Sequence, residues 1–237
     1  DARKNNERVE VRITLLPSSS VFVEPVDPSK AAPFFEGIWP HLQAKDNGLL
    51  PSRIPKPGSR LPVLIFEDFG TTGLTGNPFD RNVDEKERNN FYNFFWAEAR
   101  SAKHDKNLGR WGIGKAVFLL VSRIRTVFGY TIRDEEPYAL LQGMCTLRHH
   151  TVNNTRYKPD GWFGYVNKEE QIEPITDADT LAQFCETFHI TRTTETGLRL
   201  VIPFYEANDY DDETTYPVYK EIFDAVVTQY FCSYVVY

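Results

Sequence analysis

Apolar and polar residues alternate from Val9 to Leu15 (Val9-Glu10-Val11-Arg12-Ile13-Thr14-Leu15), the two-residue period of a strand with one buried face. Val21-Phe22-Val23 reads as a second short strand. Pro62-Val63-Leu64-Ile65-Phe66-Glu67 is continuously apolar up to its acid, as in a strand buried on both faces. From Asp84 to Lys103 the period changes: Phe91, Phe94, Phe95 and Ala99 recur at helical spacing, with acids early and bases late. Lys115 to Arg125 predicts another helix, with Val117, Leu120, Val121 and Ile124 on one stripe. Thr126–Ile132, Tyr138–Leu147 and Trp162–Val166 read as a strand meander. Asp177 to Phe188 predicts a helix capped by Thr176 or Asp177, Leu198–Pro203 a strand, and Val218–Tyr234 a long amphipathic helix. These elements predict an α+β sandwich, a mixed and mostly antiparallel sheet with helices packed on one face.

Residues 25–62 break the pattern. They hold more than half of the chain's 15 prolines, with turn formers at Asp46-Asn47-Gly48 and Pro57-Gly58-Ser59, and read as an irregular insertion with a short helix near Phe34–Leu42. The remaining composition is that of an ordinary globular chain: 237 residues, 41% hydrophobic and 25% charged. A net charge of −6 and a pI near 5.5 exclude the electropositive footprint of a domain that grips nucleic acid by itself. Three separated cysteines (Cys145, Cys185, Cys232) argue against a disulfide framework and for a reducing, cytoplasmic setting. No apolar run reaches the ~18 residues of a membrane span. The chain starts at Asp1 and stops inside an apolar helical pattern at Tyr237, which suggests a piece of a longer protein.

Two glycine-bearing segments carry the candidate chemistry. In Phe66-Glu67-Asp68-Phe69-Gly70-Thr71-Thr72-Gly73 an apolar strand delivers a carboxylate to a glycine turn. A carboxylate at a strand end needs a donor to serve; an adenine amino group is one, and a turn capping its own backbone is the plainer alternative. In Gly109-Arg110-Trp111-Gly112-Ile113-Gly114-Lys115 glycines precede an apolar helix, so unpaired N–H groups and the Lys115 charge can face phosphates. Gly109-x-x-x-x-Gly114-Lys115 has P-loop spacing, but Ala116 stands where a hydroxyl must hold Mg²⁺, and no strand leads into it. Cys185 with His189, and Cys145 near His149-His150, lack the paired spacing of a metal site; no metal ligands are assigned. The acidic cluster Asp209–Glu213 reads as a solvated loop.

Taken in order, these segments resemble the GHKL (Bergerat-fold) ATPases, which include gyrase, the heat-shock ATP chaperones, histidine kinases, MutL and the MORC proteins. Asp68-Phe69-Gly70-Thr71-Thr72-Gly73 is similar to that family's adenine-reading D-x-G-x-G, with one extra residue between the glycines. Gly109–Lys115 is similar to its phosphate lid, and Thr196-Gly197-Leu198-Arg199-Leu200-Val201-Ile202-Pro203 to its Thr-box strand, with Thr and Gly exchanged. Asp1-Ala2 looks like the end of the first box, so the catalytic Glu and the Mg²⁺-binding Asn are expected before residue 1.

The resemblance implies a Bergerat fold over residues 1–237, with the first-box helix missing and residues 215–237 leading to an absent C-terminal domain. It implies ATP and Mg²⁺ as ligands, with nucleotide contacts from Asp68, Gly70, Gly73, Gly109, Gly112, Gly114, Lys115 and Thr196. The fuller expectation is an ATP-hydrolysing part of a larger cytoplasmic prokaryotic protein, dimeric or in a multi-subunit complex, in anti-phage defence or DNA restriction. Nucleic-acid contact would come through other domains or partners. The alternative is a nucleotide-binding or interaction module without turnover.

Overall fold

The computed structural model describes residues 8–17, 23–81, 89–97, 113–136 and 138–205. The elements in chain order are β1 (Glu10–Leu16), the short helices α1 (Pro28–Ala31) and α2 (Trp39–Leu42), β2 (Val63–Phe69), α3 (Asn90–Phe95), α4 (Ile113–Leu120), β3 (Thr126–Ile132), β4 (Ala139–Thr146), β5 (His150–Val152), β6 (Thr155–Tyr157), β7 (Asp160–Phe163), β8 (Tyr165–Val166), β9 (Ile172–Glu173), α5 (Ala178–Thr187) and β10 (Gly197–Pro203). Six strands form one sheet in the order β1-β2-β10-β3-β4-β7, and every described pair in it is antiparallel. The architecture is therefore α+β around a mostly antiparallel sheet. No helix among the described residues is long and apolar enough to cross a membrane.

Strand alternation sends successive side chains to opposite sides, and here both sides are apolar. Val63, Ile65, Phe128, Ile132 and Val201 join one core with Phe34, Leu42, Phe184 and Phe188. Leu64, Phe66, Val127, Leu140 and Leu200 join the other with Phe91, Phe95 and Phe118. The expectation of helices on one face is thus corrected. Helix α5 and the helical turns of residues 28–42 cover one face; α3 and α4 cover the other. The reason is legible in β3, which is buried at all seven positions and so needs cover on both sides.

The stretch read as an irregular insertion supplies part of that cover. Phe34 packs edge-on against Phe184 at 5.2 Å and Phe163 at 5.9 Å, and Phe35 packs on Phe128 at 5.7 Å. Prolines at the first positions of its helical turns suit them to short helices. On the opposite face the Trp96 and Trp162 indoles stack with centroids 4.4 Å apart, and Trp162 Nε1 donates to the Phe95 carbonyl at 2.9 Å. This joins α3 to the edge strand β7.

Several element bounds differ from the periodicity. Of the helix expected over 84–103, residues 90–95 are helical, capped by Asn89, whose side chain accepts from the Tyr92 N–H; residues 82–88 and 98–112 lie outside the described residues. The helix expected to reach Arg125 ends at Leu120, because Ser122 and Arg123 turn to bond strand β10: Ser122 Oγ donates to the Pro203 carbonyl and Arg123 N to that of Phe204. Asp177 caps α5 through the Thr180 N–H. The strand at 21–23 and the helix at 218–234 fall largely or wholly outside the described residues.

Phe128 touches Phe35, Phe163, Phe184 and Phe188 and is 1% exposed, so its ring joins the insertion, β7 and α5 to the sheet. Phe128→Ala is expected to lower unfolding free energy by about 3–5 kcal/mol, the usual cost of deleting a buried ring, measured by urea denaturation.

Candidate functional site

Strand β2 ends at a corner where three distant segments meet. Asp68 is half-buried and, by alternation with Leu64 and Phe66, projects to the α3/α4 face. Its Oδ1 accepts two hydrogen bonds, from the Leu198 N–H at 2.9 Å and from Thr71 Oγ1 at 2.5 Å. Oδ2 accepts none among the described residues, so half of the carboxylate keeps its capacity.

The glycines of the corner are shaped by the protein's own backbone. Gly70 has φ +73°, and a Cβ there would lie 2.4 Å from the Arg8 carbonyl oxygen. Gly73 has φ +67°, and its Cβ would lie 2.4 Å from the Ile132 oxygen. At Gly197, with φ +141°, a Cβ would stand 2.1 Å from the Asp68 carbonyl oxygen. Each glycine therefore has a structural job whether or not a ligand is near. Thr131, fully buried on β3, completes the corner: its Oγ1 accepts from Leu74 N at 3.1 Å and donates to the Gly197 carbonyl at 3.0 Å. Farther out, Arg133 donates to the Gly76 carbonyl at 2.8 Å and Glu135 accepts from Gly76 N, which ties the rest of the glycine turn to the end of β3.

The second glycine segment is placed through α4. The residues after that helix are held where β10 ends, by Ser122 on Pro203, and Pro203 lies opposite Val63 at the start of β2. One turn earlier in the helix, Phe118 packs on Phe66, with centroids 6.0 Å apart. Moving from Ser122 back to Phe118 thus travels along β2 toward Asp68. Helix α4 therefore packs, through Phe118, on the face of β2 to which Asp68 projects.

Of the expected contacts, Asp68, Gly70, Gly73 and Thr196 gather at this corner, Thr196 half-buried beside Gly197. Gly114 and Lys115 lie in the first turn of α4. Gly109 and Gly112 lie outside the described residues. The pattern reading missed Thr71 and Thr131. Thr71 had a signal, a hydroxyl three residues after a turn acid; Thr131 had none, because its partners are 57 and 66 residues away.

Beneath the corner, on the opposite face, the chain buries charge. Arg199 is fully buried and donates to the Arg192 carbonyl at 2.8 Å, with its guanidinium 4.8 Å from the Phe69 ring. Burial raises the Glu67 pKa, while Arg12, Arg199 and Arg192 pull it down. Register places Arg12, Glu67 and Arg199 side by side on β1, β2 and β10, so cations flank the buried acid.

No group of three or more His, Cys, Asp or Glu residues is placed to hold a metal ion among the described residues. Cys145 and Cys185 are buried free thiols, and burial pushes Cys145 up to about 11, so it stays protonated. A cavity of about 410 Å³ lies at the other end of the sheet, among residues of the α5 side such as Phe34 and Phe128. Comparison with family models, curated proteins and solved structures finds no match in any of the three.

Thr131→Val removes a buried hydroxyl that serves both the glycine turn and β10. It is expected to cost about 1–3 kcal/mol of stability, the penalty for stranding buried partners, and hydrogen exchange should speed up at Leu74.

Proposed function

We propose that the Asp68 corner binds the adenine of ATP and that the start of α4 faces its phosphates, as the resemblance to GHKL ATPases implies. The observation that supports this reading is a shared face: Asp68, with an unbonded carboxylate oxygen, projects to the side of β2 on which α4 packs through Phe118, and glycines precede that helix in sequence. Asp68 Oδ2 would accept from the adenine amino group, while Oδ1 stays fixed by Leu198 and Thr71 so that no reorganisation accompanies binding. The α4 N–H groups would meet phosphate charge. Mg²⁺ accompanying ATP, turnover, dimerisation and a role in defence against phage are further parts of this proposal.

A second reading, an interaction module without turnover, is favoured by a specific observation. Gly70, Gly73 and Gly197 approach the chain's own carbonyls, and Asp68 already bonds its own turn. In that reading the corner is a structural clamp.

Asp68→Asn separates the two. An amide keeps the Oδ1 acceptor that the fold uses and places an NH₂ where Oδ2 was, against the adenine amino group. Nucleotide recognition predicts an ATP affinity weaker by about 1–3 kcal/mol with little change in melting temperature, read by titration calorimetry. Equal affinity in both proteins removes the adenine role. A wild-type chain that binds no ATP leaves the clamp reading.

A further inference from the structure

The cavity on the α5 side has its own chemistry, independent of the Asp68 corner. Its walls are aromatic and aliphatic: Phe34, Phe35, Phe128, Phe163, Met144 and Ile38. At about 410 Å³ it falls within the range of small-molecule sites. Thr126 and Cys145 also line it, but both donate to the Ile124 carbonyl and are spent on the fold.

One polar feature of the lining is built from distant parts of the chain. His41, on α2, and His150, on β5, meet with Nδ1 and Nε2 2.8 Å apart. His150 Nδ1 lies 2.7 Å from the Arg148 carbonyl, which can only accept, so that nitrogen carries a proton. In the neutral pair, His150 Nε2 then accepts from His41 Nδ1–H, and His41 Nε2 is left as a bare acceptor. It has no hydrogen bond among the described residues. The Tyr157 ring packs edge-on against His41, with centroids 4.6 Å apart, and holds the pair in place. Burial first, and the neighbouring His150 second, keep the His41 pKa below that of a free imidazole, which leaves His41 neutral at neutral pH.

The other charged groups that share the cavity are Lys158 and Asp160. Lys158 forms no ion pair among the described residues, whereas Asp160 accepts from Thr146 Oγ1 at 3.0 Å. Lys158 and Asp160 carry opposite charges, so the imidazole pair sets the sign of the lining, which becomes net cationic when the pair takes up a proton. An aromatic slot with such an end matches a flat apolar body that carries one acidic group.

We propose that this cavity binds a planar aromatic carboxylate, with its ring between the phenylalanine walls and its carboxylate against the His41–His150 pair and Lys158. Binding takes up a proton: the carboxylate anion and a solvent proton enter together, and the proton resides on the imidazole pair. Affinity consequently rises as pH falls, because protonation supplies the cation that the anion needs.

In titration calorimetry of the whole chain, 2-naphthoate is expected to bind saturably. The neutral isostere 2-naphthamide should bind about tenfold or more weakly, the worth of a charge-assisted contact. Naphthoate affinity should fall about tenfold between pH 6 and pH 8 while amide affinity stays flat. His41→Gln should erase most of the acid–amide difference. Lys158→Ala, at an exposed position, should reduce that difference and covers the case in which His41→Gln fails to fold. Absence of saturable binding at millimolar naphthoate overturns the site. Equal affinity for acid and amide, or an acid–amide ratio unchanged in the folded variants, overturns the assigned chemistry.

Discussion

Strand β10 is the hinge on which the molecule's geometry turns. It enters the sheet between β2 and β3, more than sixty residues from either in sequence, and completes the ladder that both cores require. Non-local pairing of this kind carries a loop-closure cost before any contact rewards it. The reward is concentrated at one corner, where the Leu198 N–H meets Asp68, the Gly197 carbonyl meets Thr131, and Gly197 itself fits against the Asp68 backbone. Shift the register of β10 by one residue, and Leu200 and Val201 exchange cores while Arg199 loses its place beside Glu67.

Much of this fold could be read from residue patterns, because burial period is a local property. Thr126–Ile132 is a strand within the same bounds in both readings, and β2, β4, β10 and α5 differ from their expected ranges by one or two residues at most ends. The layer arrangement was less legible. Periodicity says that a strand is buried on both faces, but not what covers the second one, and the cover here comes from a proline-rich stretch whose helices are four residues long. Such turns are too short to show a helical period. They are fixed instead by tertiary contacts such as Phe34 on Phe184.

The candidate sites divide in the same way. Asp68 stood out because a carboxylate closing an apolar strand is locally anomalous. Its partner Leu198 is 130 residues away, and a backbone N–H carries no signature in the residue pattern. The imidazole pair was invisible for a related reason: His41 and His150 are 109 residues apart, each unremarkable in its own surroundings, and their meeting depends on α2 packing over the β5 hairpin. That hairpin turns through Asn153 and Asn154, both with positive φ, the residue type that best tolerates this conformation after glycine.

The crowded glycines have a consequence for reading any relative of this chain. Selection for folding alone would retain glycine at positions 70, 73 and 197, because a methyl group at each would strike a carbonyl oxygen. Their persistence through evolution would consequently be silent about ligands. Position 68 would speak, since asparagine could satisfy Leu198 and Thr71 equally well. A lineage that keeps the acid there is preserving a negative charge that these two hydrogen bonds do not need, though the buried Arg199 feels it.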